Sequence, residues 1–75
     1  MASATIYARR DGRFTARFTG TVTTGTFKGG TVACASEPGA FATEQDARRW
    51  LEMGAERDGV ALPDAVVVRR DRRGA

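Results

Sequence analysis

Apolar and polar residues alternate through the first part of the chain and change to a helical period further on. Residues 5–10 (Thr-Ile-Tyr-Ala-Arg-Arg) and 13–19 (Arg-Phe-Thr-Ala-Arg-Phe-Thr) flank Asp11-Gly12. Asp-Gly between alternating segments predicts a β-hairpin. A two-residue loop would set Arg9 against Phe14 and Ile6 against Arg17, mixing charge with core on both sides of the ribbon. A three-residue loop, Arg10-Asp11-Gly12 with Gly12 left-handed, instead pairs Arg9 with Arg13 and Ala8 with Phe14. Ile6, Ala8, Phe14, Ala16 and Phe18 then share one face, and Tyr7, Arg9, Arg13, Thr15 and Arg17 the other. A one-residue slip turns every side chain over, so the register that sorts the faces is the expected one.

Residues 20–35 are rich in Thr, with turn signals at Thr24-Gly25 and Lys28-Gly29-Gly30. Residues 30–35 read as a third strand with Val32 and Cys34 facing the core, while residues 21–27 either lengthen the second strand or form another. Ser36-Glu37-Pro38-Gly39 ends the sheet. A helix over about residues 44–57 follows. Thr43 is a good N-cap, with Asp46 three positions on, and Glu44 and Asp46 suit the positive helix start. Ala47, Trp50, Leu51 and Gly54 make one apolar stripe at helical spacing, Phe41 precedes the cap, and Gly59 stops the helix. Trp50 reads as core. Ala65-Val66-Val67-Val68 is a candidate short strand, and residues 69–75 read as a mobile basic tail.

These elements predict an α+β fold: a three-stranded antiparallel sheet, four-stranded if a further strand joins, packed against one C-terminal α-helix. Residues 1–62 form the domain, and residues 63–75 a short apolar segment and basic tail. A chain of 75 residues accommodates one domain, and at this size only about 60% of the unfolded surface becomes buried. A thin core and a second chain sharing it are both compatible with that, so monomer and homodimer stay open.

Chemistry is narrowed by what is missing. The chain has no His and a single Cys, Cys34. The commonest general base and metal ligand is therefore absent, and no intrachain disulfide can form. A lone Cys does not make a zinc site. Gly29-Gly30 lacks the Lys-Ser/Thr that follows in a phosphate-binding loop. No catalysis, metal or cofactor is expected. No apolar run approaches the ~18 residues of a membrane span, and no signal-peptide core follows the N-terminus, so a cytoplasmic protein without membrane association is expected.

The net charge of +3 conceals a pattern. Residues 1–35 carry five basic residues against Asp11, residues 36–64 three Arg against seven carboxylates, and residues 65–75 four Arg against Asp71. The chain is thus basic, then acidic, then basic again. The helix needs the apolar sheet face, which leaves the Arg9, Arg13, Arg17, Tyr7 and Thr15 face uncovered. Like charges on neighbouring strands repel unless solvent or an anion relieves them. Such a face suits DNA: Arg for phosphates or guanine, Thr15 for a base edge or thymine methyl, Tyr7 for a phosphate. The plain alternative is a solvated polar face in a chain whose Arg bias (11 Arg, one Lys) a GC-rich genome would also produce. The Arg of residues 69–73 are a second, weaker candidate.

Ile6-Tyr7-Ala8-Arg9-Arg10-Asp11-Gly12-Arg13-Phe14-Thr15-Ala16-Arg17, then Phe41-Ala42-Thr43, then Ala47-Arg48-Arg49-Trp50-Leu51, resembles the arm-type, AP2-like N-terminal DNA-binding domain of phage tyrosine integrases. The resemblance spans roughly residues 5–57. It implies a three-stranded antiparallel sheet packed on one helix, with the sheet in the major groove of double-stranded DNA. It further implies a contact face of Tyr7, Arg9, Arg13, Thr15 and Arg17, and Arg10 in the turn joins them as a candidate nucleic-acid-binding residue. The chain departs from that pattern in its Thr-rich insertion at residues 20–30 and in Phe14, where the family often has Trp. The expected function is a small non-catalytic DNA-binding protein of phage or mobile-element origin. The alternative is an accessory protein that binds a host protein through the acidic helix face (Glu44, Glu52, Glu56) or an open strand edge.

Overall fold

The computed structural model describes residues 2–70. It contains β1 (Ser3–Ala8), β2 (Phe14–Thr21), β3 (Thr31–Ala35), α1 (Glu44–Asp58) and β4 (Val67–Arg70), and the strands form one sheet in the order β3-β2-β1-β4. β1 and β2 pair antiparallel with Ala4 against Phe18, Ile6 against Ala16 and Ala8 against Phe14. This is the register that separates charge from core. Its loop is also the three-residue one: the Arg9 N–H donates to the Arg13 carbonyl at 2.9 Å, and Gly12 takes φ 82°. That angle favours glycine.

β2 continues to Thr21, two residues beyond the expected end, and pairs with β3 there, Thr21 against Thr31. The rest of the Thr-rich segment is turns, closed by Val22, whose N–H donates to Gly30 and whose carbonyl accepts from Gly29. Val32 and Cys34 pack against the core, as the alternation in β3 predicts.

The fold is α+β as expected, with four strands in one sheet and a single helix, but the sheet is not all antiparallel and the helix is not C-terminal. β4 follows the helix and pairs with β1 in parallel, Thr5 with Val67 and Tyr7 with Arg69. The sheet is therefore mixed, and α1 is internal to the chain order. β3 and β4 run in the same direction, so the chain must cross the sheet between them, and a helix is the usual crossover. α1 accordingly lies over β2 and β1, the two strands between. Residues 67–70, expected to end one strand and begin a mobile tail, are thus sheet, while the remainder of that tail lies outside the described residues.

α1 is capped as its sequence predicts. Thr43 Oγ1 accepts the Asp46 N–H at 3.1 Å. At the other end Gly59 is left-handed, with its N–H on the Glu56 carbonyl and the Val60 N–H on the Ala55 carbonyl. This bond pair satisfies the last carbonyls and brings Val60 onto Ala55. Ala47, Leu51, Gly54 and Ala55 are buried. With Ala4, Ile6, Ala16 and Phe18 they fill the space between helix and sheet, and Val22 and Val60 extend it. Trp50 sits at the margin between Phe18 and Phe41, ring centroids 5.8 and 5.9 Å away. No helix among the described residues is long and apolar enough to cross a membrane.

Candidate nucleic-acid interface

The side of the sheet facing away from α1 is organised in rows set by strand pairing. One row is Arg69, Tyr7 and Thr15; the next is Val67, Thr5, Arg17 and Ala35. Beyond the end of β1, Arg9 and Arg13 form a further pair across the turn. Arg10 stands exposed at the turn itself. Alternation along each strand puts all the odd-numbered residues of this hairpin on the same side.

A groove of about 320 Å³ runs over this face. Tyr7, Thr15, Arg17 and Ala35 line it from the sheet, Arg9 lies at one end, and Ser36 and Pro38 form its flank. The flank is built by an interruption of strand pairing. After β3, Ser36 still bonds Ala16, donating its N–H to the Ala16 carbonyl and accepting the Ala16 N–H on Oγ. The chain then leaves the edge for four residues and returns at Phe41, whose N–H and carbonyl pair with Phe14. The excursion arches over the polar face and brings Gly39 down onto Thr15, whose Oγ1 accepts the Gly39 N–H at 2.9 Å. Gly39 is buried with φ 69°, and a Cβ there would sit 3.2 Å from Arg9 Nε. Its backbone angle favours glycine, and a side chain there would push the Arg9 guanidinium aside.

Five of the expected contact residues fall on one face, with Arg10 at the turn, but they differ in how they are held. Arg13 Nε donates to the Gly39 carbonyl at 2.6 Å, so Arg13 clamps the arch. Thr15 supports the same arch through its hydroxyl. Arg9 Nη2 lies 3.1 Å from Asp11 Oδ2, and the Asp11 carboxylate also accepts the Arg13 N–H at 2.9 Å. These bonds, the Arg13 N–H first and the Arg9 guanidinium second, hold the Asp11 carboxyl below the usual carboxylate range. The repulsion expected between Arg9 and Arg13 is thus relieved inside the chain, by a carboxylate and by backbone carbonyls. Tyr7 is half-buried, and Arg17 is exposed without an ion pair to another described residue.

Alternation alone did not locate the arch or Arg69. The arch depends on bonds spanning 24 and 26 residues, for which Gly39 is the one local sign. Arg69 would have been found by extending the β-branched run at residues 66–68 by one position.

The opposite side of the molecule is electrostatically mixed. Glu44 pairs with Arg48 on α1 at 3.1 Å, and Arg49, Glu52 and Glu56 are exposed. A wider cleft of about 700 Å³ lies between the Thr-rich turns and the end of α1, with Thr24, Phe27, Glu56 and Asp58 on its lining. No group of His, Cys, Asp and Glu among the described residues could hold a metal ion. Cys34 is half-buried on the core side of β3. Comparison with protein families, with curated proteins and with solved structures finds no match for this chain.

Proposed function

We propose that this chain is a small non-catalytic DNA-binding protein, of phage or mobile-element origin, that lays the polar face of its sheet against duplex DNA. The observation that carries this reading is the groove in which Arg9, Arg17 and Tyr7 converge on a face that α1 does not cover. Guanidinium groups make charge-assisted, often bidentate bonds to phosphate. The Tyr7 hydroxyl adds a donor between them, and β-ribbon and β-sheet readers lay such strands in a groove of the duplex. The resemblance of residues 5–57 to integrase arm-type domains points to the same side of the sheet.

The contacts divide by how each side chain is held. Arg17 is the leading phosphate or guanine contact, because its neighbours in the row, Thr5 and Ala35, are short and leave it free to reach outward. Arg10, exposed at the turn, reaches a flanking phosphate. Arg9 contributes through the donors that Asp11 leaves open. Arg13 and Thr15 act by holding the arch that borders the groove.

Fluorescence anisotropy of labelled random duplex DNA, titrated with the protein at several salt concentrations, tests the reading. About three or four phosphate contacts give a log–log salt slope of roughly −3 to −4, with micromolar affinity at low salt. An absence of binding at low salt, or affinity that ignores salt, contradicts it.

A further inference from the structure

We infer that Arg69, and not its neighbour Arg70, belongs to the DNA-contacting surface; this rests on the function proposed above. The two residues are adjacent in a basic C-terminal stretch and look equivalent in the sequence. The sheet separates them. β4 pairs with β1 in parallel, Arg69 in register with Tyr7 and Arg70 with Ala8. Residues in register share a face, and successive residues take opposite faces. Tyr7 lines the polar groove, whereas Ala8 follows Ile6 on the side packed against α1. Arg69 therefore stands beside Tyr7 on the uncovered face, and Arg70 points toward the helix side.

This placement widens the surface from two strands to three. Arg17 on β2 and Arg69 on β4 flank β1 from either side, two strand spacings apart across the sheet and two residues apart along it, which places them roughly 12 Å from each other. Tyr7 and Thr5 lie between them. A strip of that width with a cation on each flank matches a major groove roughly 12 Å across, where each guanidinium meets a phosphate-lined wall. Val67, 46% exposed, shares the face beside Thr5 and offers an apolar patch for a thymine methyl or a sugar. Arg69 is itself exposed and makes no ion pair with another described residue.

The test compares Arg69→Gln with Arg70→Gln in the full chain, by the same anisotropy titration with random duplex DNA. Glutamine keeps a long polar stem at an exposed position and removes only the charge. Loss of one phosphate contact predicts about eightfold weaker binding at about 0.1 M salt for Arg69→Gln, with a slope shallower by about 0.9. Arg70→Gln should stay within about twofold of the parent, as expected of a charge on the other face. Arg69→Lys should restore most of the affinity, since phosphate contact needs the charge. Equal losses at the two positions, a larger loss at Arg70, or no recovery with lysine overturns the assignment while leaving the function standing. A parent chain that does not bind DNA overturns the function, and the assignment with it.

Discussion

Replacing Phe18 by alanine is expected to remove most of the stability of this fold. Phe18 is completely buried at the centre of β2, and its ring packs on Trp50 with centroids 5.8 Å apart. The helix comes so close because Gly54 faces the ring: a Cβ there would lie 3.0 Å from Phe18 Cε2. Truncating the ring leaves a cavity bounded by a sheet and by a helix tied at both ends. Neither can collapse into it freely, so a loss of about 3–5 kcal/mol follows. At 0.05–0.15 kcal/mol per residue, a chain of this length has only about 4–11 kcal/mol in total. Urea unfolding followed by circular dichroism should show the midpoint lowered by about 2–4 M, or no cooperative transition remaining. A midpoint within about 0.5 M of the parent would mean that helix and sheet are held by something other than this contact.

Reversing charge at Arg17 is expected to have the largest effect on function with little effect on folding. The side chain is exposed, its row neighbours Thr5 and Ala35 are short, and it makes no ion pair with another described residue. Under the proposed function, Arg17→Glu loses one phosphate contact, about eightfold at about 0.1 M salt, and places a carboxylate against the phosphates. Together these weaken binding by roughly 20- to 50-fold. The thermal transition should stay within about 3 °C of the parent, as for other surface substitutions. Anisotropy and a melting curve on the same sample check both parts. Unchanged DNA affinity would move the contact surface off this face.

Much of the fold was legible because its signals are local. The hairpin register followed from a conflict between charge and core that only one loop length resolves. The helix limits followed from Thr43 and Gly59, whose side-chain oxygen and left-handed backbone close the two ends. Placement of Tyr7, Arg9, Arg13, Thr15 and Arg17 on one side was legible for the same reason, since alternation needs no knowledge of distant partners. β4 was not legible as a parallel strand. A continuous run of Val has no alternation to mark its faces, and its partner β1 lies at the other end of the chain. Arg69 consequently read as tail. The engagement of Arg13 and Thr15 was also hidden, because the carbonyl and N–H that occupy them come from a glycine more than twenty residues away.

The claim that the polar face of the sheet is where DNA sits is tested most directly by mapping backbone amide shifts in the ¹⁵N-labelled chain as duplex DNA is added. Shifts concentrated in residues 5–10, 15–17 and 67–69, with the outer side of α1 around Glu52 and Glu56 unmoved, are the predicted result. Shifts centred on α1 or on the Thr-rich turns, with the groove residues Tyr7, Arg9 and Arg17 silent, would contradict it.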